Sequence, residues 1–171
     1  MVSEFLILFR LTLVIFFSFF LSGMSSPPLR VGGPAPSFEL KTLKGKIFKS
    51  SDLKNKAVIL NFWATWCAPC IKEMPSLDRL KLKIDGNFDV IAISLDRDGV
   101  KKVNDFFNEN KITNLEKFFD IKNSLAKEMN LLGVPTSFFV NKEGDLIGYY
   151  QGDMEWDNDV VLEFINYLIK I

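Results

Sequence analysis

Histidine is absent from the 171 residues, and cysteine occurs only as Cys67 and Cys70. Without an imidazole, Ser-His-Asp and Cys-His catalysis are excluded, as are His-ligated metals. Two thiolates cannot supply the four ligands of a structural zinc, so no metal site is expected in a monomer. An excess of either charge is missing too, with 21 Lys+Arg against 21 Asp+Glu. Nothing global therefore draws the chain to nucleic acid or to an acidic surface. An apolar run of bilayer length is also lacking. Phe5 to Leu21 is interrupted by Arg10, Thr12 and Ser18, and the part beyond Arg10, Leu11 to Leu21, is 11 residues long. A crossing helix needs about 20 apolar residues, whereas the apolar region of a secretory signal needs about 7 to 15.

That segment gives three readings. A cleaved signal peptide comes first: Arg10 closes a weakly positive start, and Gly23-Met24-Ser25 spaces small residues as a cleavage site requires. An uncleaved N-terminal anchor would use the whole run from Phe5, with Arg10 near an interface. A buried core helix is the third. Met24 stands where a lipoprotein would need Cys, which disfavours lipid attachment. The first two readings place the rest of the chain in a periplasmic or other extracytoplasmic space, secreted or tethered to the inner membrane, where thiols are not kept reduced by default. We therefore divide the chain into a signal or anchor (1–25), a Pro- and Gly-rich linker (26–36) and one domain (37–171). The 48% apolar and 25% charged content is that of an ordinary globular protein, long enough to bury a core without disulfide staples.

Along the domain, Phe38–Leu40 and Ile47–Lys49 flank a Lys44-Gly45 turn and predict a hairpin. Ala57–Phe62 (AVILNF) and Phe88–Leu95 (FDVIAISL) are short apolar runs expected of strands covered on both faces. Met74, Leu77, Leu80 and Ile84 recur at helical spacing in Ile71–Ile84. Further helices are predicted over Val100–Asn110, over Ser124–Leu132 (ended by Gly133) and over Trp156–Ile169. Phe118-Phe119 reads as a short edge segment. Ser137–Val140 and Leu146–Tyr150 read as a hairpin around Asn141-Lys142-Glu143-Gly144. This order implies an α/β fold, a mixed sheet with helices on both faces.

Chemistry concentrates in Asn61-Phe62-Trp63-Ala64-Thr65-Trp66-Cys67-Ala68-Pro69-Cys70, between an apolar strand and an amphipathic helix. Two cysteines three apart at a helix start can close a disulfide without moving the fold. The helix N-terminus carries roughly half a positive charge and unpaired N–H groups, which lowers the thiol pKa of Cys67 below about 8.5. Cys70, one turn further in, should be more buried. Cys67 would then attack a partner disulfide and Cys70 would displace the partner. Pro69 limits backbone freedom between the sulfurs. The competing readings are half of a metal site, which needs a second chain, and a structural disulfide, which a loop this short makes a poor staple.

The segment Trp66-Cys67-Ala68-Pro69-Cys70, preceded by Phe62-Trp63-Ala64, resembles the thioredoxin superfamily. Gly133-Val134-Pro135-Thr136 is similar to its cis-proline loop. The opening Pro34-Ala35-Pro36-Ser37-Phe38-Glu39-Leu40 resembles the TlpA/ResA-like branch of exported thiol–disulfide oxidoreductases. The resemblance covers about Gly33 to Ile171 and implies a thioredoxin-like fold with an N-terminal hairpin extension. It implies a cis bond before Pro135, lying beside the disulfide, with Val134 offering its backbone to an extended partner. Pro75 matches the family's helix-kinking proline. Where thioredoxins carry a buried Asp, this chain has Asn61, which cannot titrate. A Glu at position 73 in ResA-like proteins lies near the cysteine pair and assists proton transfer, so Glu73 is expected to tune the dithiol; a solvated helix Glu beside Lys72 is the alternative. Trp63 is expected in the core and Trp66 at the surface, as an apolar platform for a partner.

The leading expectation is an exported enzyme that reduces partner disulfides, without any cofactor beyond the Cys67–Cys70 disulfide. By resemblance alone, its partners are protein thiols and disulfides of cytochrome c or copper-site assembly, with a membrane electron donor, no nucleic acid and a monomeric state. Thr136 departs from the Glu that often follows the cis-proline in cytochrome-maturation relatives, which weakens that substrate. The alternatives are a periplasmic oxidant or isomerase, and a docking module whose disulfide is structural. A peroxidase would need Thr or Ser at position 64, which is Ala64.

Overall fold

The computed structural model describes residues 31–171 apart from 54, 85 and 98. The expected signal or anchor, and the linker up to residue 30, lie outside the described residues. One eight-stranded sheet forms the centre. In chain order its elements begin with β1 (Gly33–Pro34), β2 (Glu39–Thr42), β3 (Ile47–Lys49), a 3₁₀ turn (Ser50–Leu53) and β4 (Ala57–Trp63). Helix α1 (Ala68–Lys83), β5 (Phe88–Ser94), α2 (Val100–Glu109), β6 (Lys117–Phe119) and α3 (Ser124–Glu128) follow. The chain closes with β7 (Thr136–Val140), β8 (Asp145–Gln151) and α4 (Asp159–Lys170).

Spatial order is β1-β8-β7-β4-β5-β6-β2-β3. The β4/β5 and β5/β6 pairs are parallel and the others antiparallel. Every residue of β4 is buried, as an apolar run without alternation requires. Its side chains divide by parity. Ala57, Ile59 and Trp63 pack with Met74, Leu77 and Leu80 of α1, with α2 and with Val161, Ile165 and Leu168 of α4. Val58, Leu60 and Phe62 pack on the opposite face with Phe38, Leu40 and residues of α3. Helices therefore cover both faces of the mixed sheet, as expected. Parity also turns Asn61 toward α1.

Four boundaries differ from expectation. Phe118-Phe119 is not an edge: β6 lies between β5 and β2, because the N-terminal hairpin adds two strands outside it. Gly33–Pro34, inside the stretch read as linker, pairs with β8, held by Gly32 N–H to Leu146 O at 2.7 Å and Ala35 N–H to Gly144 O at 2.8 Å. A proline suits this position because an edge strand leaves one side unpaired. Helix α3 stops at Glu128 rather than near Leu132. Asn130 adopts φ 49°, the left-handed geometry that ends helices, so Asn130 and not Gly133 is the stop. Helix α4 starts after Asn158, whose side chain accepts from Val161 N–H at 2.9 Å, leaving Trp156 in the preceding turn. The Asn141–Gly144 turn follows expectation: Gly144 takes φ 92°, and Asn141 Oδ1 accepts from Asp145 N–H at 2.8 Å. Among the described residues no helix is long and apolar enough to cross a membrane.

Candidate active site

The site forms where β4 ends. Cys67 is the N-cap of α1, in extended geometry, and Cys70 lies in the helix's first turn. The two are joined by a disulfide with Cα atoms 5.2 Å apart. Cys67 Sγ also accepts from Cys70 N–H at 3.3 Å, which satisfies one of the helix's unpaired donors. Pro69 occupies the first turn, where its missing N–H costs no helical hydrogen bond. Cys70 is fully buried and Cys67 nearly so, both in the cluster that contains Trp63. The sulfur nearer the surface is therefore the one that a helix terminus can stabilise as thiolate. Pro75 lies inside α1.

Strand register brings the second wall to this point. Phe62 pairs with Thr136, so Pro135, one residue earlier, lies beside the turn that leads from β4 to Cys67. The Val134–Pro135 bond is cis. Val134 packs against the cluster holding both cysteines. Its backbone N–H and C=O are unpaired among the described residues, while Pro135 O accepts from Gly152 N–H at 3.0 Å and Gly133 O from Thr136 Oγ1 at 2.7 Å. Trp66 is 69% exposed. Together with Leu95, Leu131, Leu132 and Val134 it lines a cavity of about 390 Å³. Trp63 is buried against Phe106 and Phe107, with ring centroids 5.2 and 5.8 Å away.

Glu73 is not a solvated helix residue. It is 1% exposed. Its Oε1 accepts from Asn61 Nδ2 at 2.8 Å, and its Oε2 from Trp156 Nε1 at 2.9 Å and Met154 N–H at 3.2 Å. Burial pushes its carboxyl above the ordinary range, and the donors from Asn61, Trp156 and Met154 oppose that only in part. Lys72, the neighbour that the solvated alternative set beside it, pairs with Asp153. Asn61 Nδ2 also donates to Ser137 Oγ at 2.9 Å, across the β4/β7 pair that sets the two residues opposite each other. Asn61 Oδ1 is buried with no hydrogen-bond partner among the described residues.

Sequence reasoning missed four contributors. Trp156, 83 positions from Glu73, and Leu132, 86% exposed beside the cis-proline loop, carry no local signal. Asp96 and Thr65 are hydrogen-bonded to each other across 31 positions; the one available hint was an acidic residue just past the carboxyl end of a buried parallel strand, where sites in such sheets gather.

The arrangement can exchange thiols with a disulfide, and the comparisons agree. The Redoxin family model matches residues 30–163. The thiol-disulfide oxidoreductase ResA of Bacillus thuringiensis subsp. konkukian is 32% identical over 134 residues, covering 73% of this chain and 72% of that one. ResA of Bacillus subtilis is 32% identical over 140 residues, covering 81% and 75%. Among solved structures, a Chlorobium tepidum protein provisionally titled thiol:disulfide interchange protein DsbE matches with TM-score 0.73 and 27% identity, over 82% of this chain and 99% of that one. The chain belongs to the Redoxin family, as a TlpA/ResA-like thiol–disulfide oxidoreductase of the thioredoxin superfamily.

Proposed function

We propose that the protein is an exported reductase of partner-protein disulfides, acting outside the cytoplasm as a monomer supplied by a membrane electron donor. The observation that carries the chemistry is Cys67 Sγ at the opening of α1 with Cys70 one turn inside. In the reduced enzyme the Cys67 thiolate attacks one sulfur of the partner disulfide, and the partner's other sulfur leaves as thiolate. Cys70, deprotonated, then attacks Cys67 Sγ, and the second partner sulfur leaves. Two electrons and two protons pass to the partner, and the Cys67–Cys70 disulfide remains for the donor to reduce.

Trp66, Pro69, Val134 and Pro135 are the partner-binding residues. The exposed Trp66 ring and Leu132 offer apolar area beside the disulfide, and the Val134 backbone, with no partner among the described residues, suits an extended segment. Glu73 is the third catalytic residue, a proton holder one helical turn beyond Cys70. Export rests on the short apolar run ending at Leu21. The natural disulfides belong to cytochrome c or copper-site assembly, with Thr136 weighing against the cytochrome case. Direction is tested by the reduction potential, measured by equilibration with glutathione. A reductase is expected below about −200 mV; a value near the −120 mV or so of strong oxidants overturns this reading in favour of an oxidant.

A further inference from the structure

One buried carboxylate near the redox loop is left unused by that chemistry. Asp96, just past β5, is 5% exposed. Its Oδ2 accepts from Thr65 N–H at 3.0 Å and from Ser94 Oγ at 2.8 Å, and its Oδ1 accepts from Thr65 Oγ1 at 2.7 Å. Its own N–H donates to Ser94 Oγ at 3.1 Å. Both donors of Thr65, backbone and side chain, thus end on one carboxylate. Behind it, Gly99 caps α2 so closely that an added Cβ would stand 2.0 Å from Asp96 Cβ. The carboxylate is therefore walled in by backbone rather than free to swing. In front of it, Thr65 lies between Ala64, whose carbonyl accepts from Cys67 N–H at 3.2 Å, and the exposed Trp66. The loop is tied to β5 a second time through Leu95 N–H to Trp63 O at 3.0 Å.

We propose that Asp96 is a positioning residue of the redox centre: by clamping Thr65 it keeps Cys67 at the start of α1 after the disulfide has opened. The inference rests on the redox reading of Cys67 and Cys70. While the disulfide is closed, Cys70 and the helix hold Cys67 in place. Once it is reduced the sulfur link to Cys70 is gone; Ile71 N–H still holds Cys67 O at 3.0 Å from the helix side, and Asp96 holds the turn from the Thr65 side. Charged hydrogen bonds of this kind are the strong ones. A Cys67 that drifts from the helix opening loses the donors that favour its thiolate.

The test uses the full reduced protein and follows iodoacetamide modification of Cys67 by mass spectrometry across pH. Asp96→Ala is expected to slow the reaction about tenfold at neutral pH, a thiol pKa raised by about one unit, and to shift the glutathione equilibrium toward the intramolecular disulfide. Asp96→Asn keeps the shape but only one acceptor oxygen and no charge, so one of the two Thr65 bonds is lost; it is expected to move the profile in the same direction as Asp96→Ala by a smaller factor. Thr65→Val, which removes only the hydroxyl, is expected to move the profile in the same direction as Asp96→Ala by a smaller factor. If Asp96→Ala does not fold, the other two variants decide. Unchanged profiles in Asp96→Ala and Thr65→Val overturn the proposal, as does an Asp96→Ala or Asp96→Asn profile moved to lower pH, which is what loss of a nearby negative charge alone would give. A failure of the redox reading itself would show separately, as wild-type protein unable to reduce oxidised glutathione.

Discussion

Replacing Cys67 by serine abolishes disulfide reduction, whereas Cys70→Ser stops it one step later with the partner still attached. The two sulfurs differ in placement: Cys67 caps α1 and is the more exposed, while Cys70 is fully buried in the first turn. A serine at position 67 has no thiolate to begin the exchange. A serine at position 70 leaves attack intact and removes only the displacement, so a mixed disulfide accumulates. The expected loss of turnover with an excess of protein disulfide is at least ~1,000-fold for either variant, since the hydroxyl is not a nucleophile toward disulfides at neutral pH. Non-reducing electrophoresis and mass spectrometry of Cys70→Ser should show the adduct at Cys67. A docking module with a structural disulfide would give the opposite result: Cys67→Ser would keep the activity of its pathway, and no adduct would form.

Glu73→Ala is expected to be the most destabilising single change at the site. Its side chain is the shared acceptor for Asn61, Trp156 and Met154. Two of those donors, Trp156 Nε1 and Met154 N–H, show no other acceptor among the described residues. At about 1–3 kcal/mol for each buried unsatisfied group, the loss should reach roughly 3 kcal/mol, read as a lower urea midpoint. Glu73→Gln separates charge from shape. The carboxyl pKa is raised in the folded protein, chiefly by burial. The folded state therefore holds this proton more tightly than the unfolded chain. That contribution is complete below the ordinary carboxylate range and disappears as pH rises through the raised value. The stability of wild type relative to Glu73→Gln should accordingly fall across that window and level off above it. If Glu73 also tunes the dithiol, Glu73→Gln moves the Cys67 alkylation profile to lower pH, because a nearby carboxylate opposes a thiolate. An unchanged profile would confine Glu73 to structure.

The legible parts of this protein were those where one short segment sufficed. Ala57–Trp63 announces a buried strand by unbroken apolarity, and the cysteines with Pro69 announce a helix start. The turn Asn141–Gly144 announces its own geometry. What stayed hidden depends on distant partners. Glu73 is expected beside the cysteine pair only through the resemblance; nothing local shows that the return of the chain at Met154 and Trp156 buries it. The interior place of β6 depends on a hairpin more than 60 residues earlier, as the pairing of Lys41 with Phe119 shows. The shortness of α3 was visible in principle at Asn130, but a glycine three residues later gave the more familiar stop signal. Asp96 reads as a loop acid until Thr65, 31 positions away, is laid against it.

The chemistry depends on where one sulfur sits. Its most direct test is the pH titration of the Cys67 thiol in the reduced protein, by iodoacetamide rate or by thiolate absorbance. A helix-capping cysteine should ionise clearly below the roughly 8.5 of a free thiol and react faster than Cys70 at every neutral pH. A Cys67 that titrates at or above that value, or reacts no faster than its buried neighbour, would contradict the mechanism at its first step.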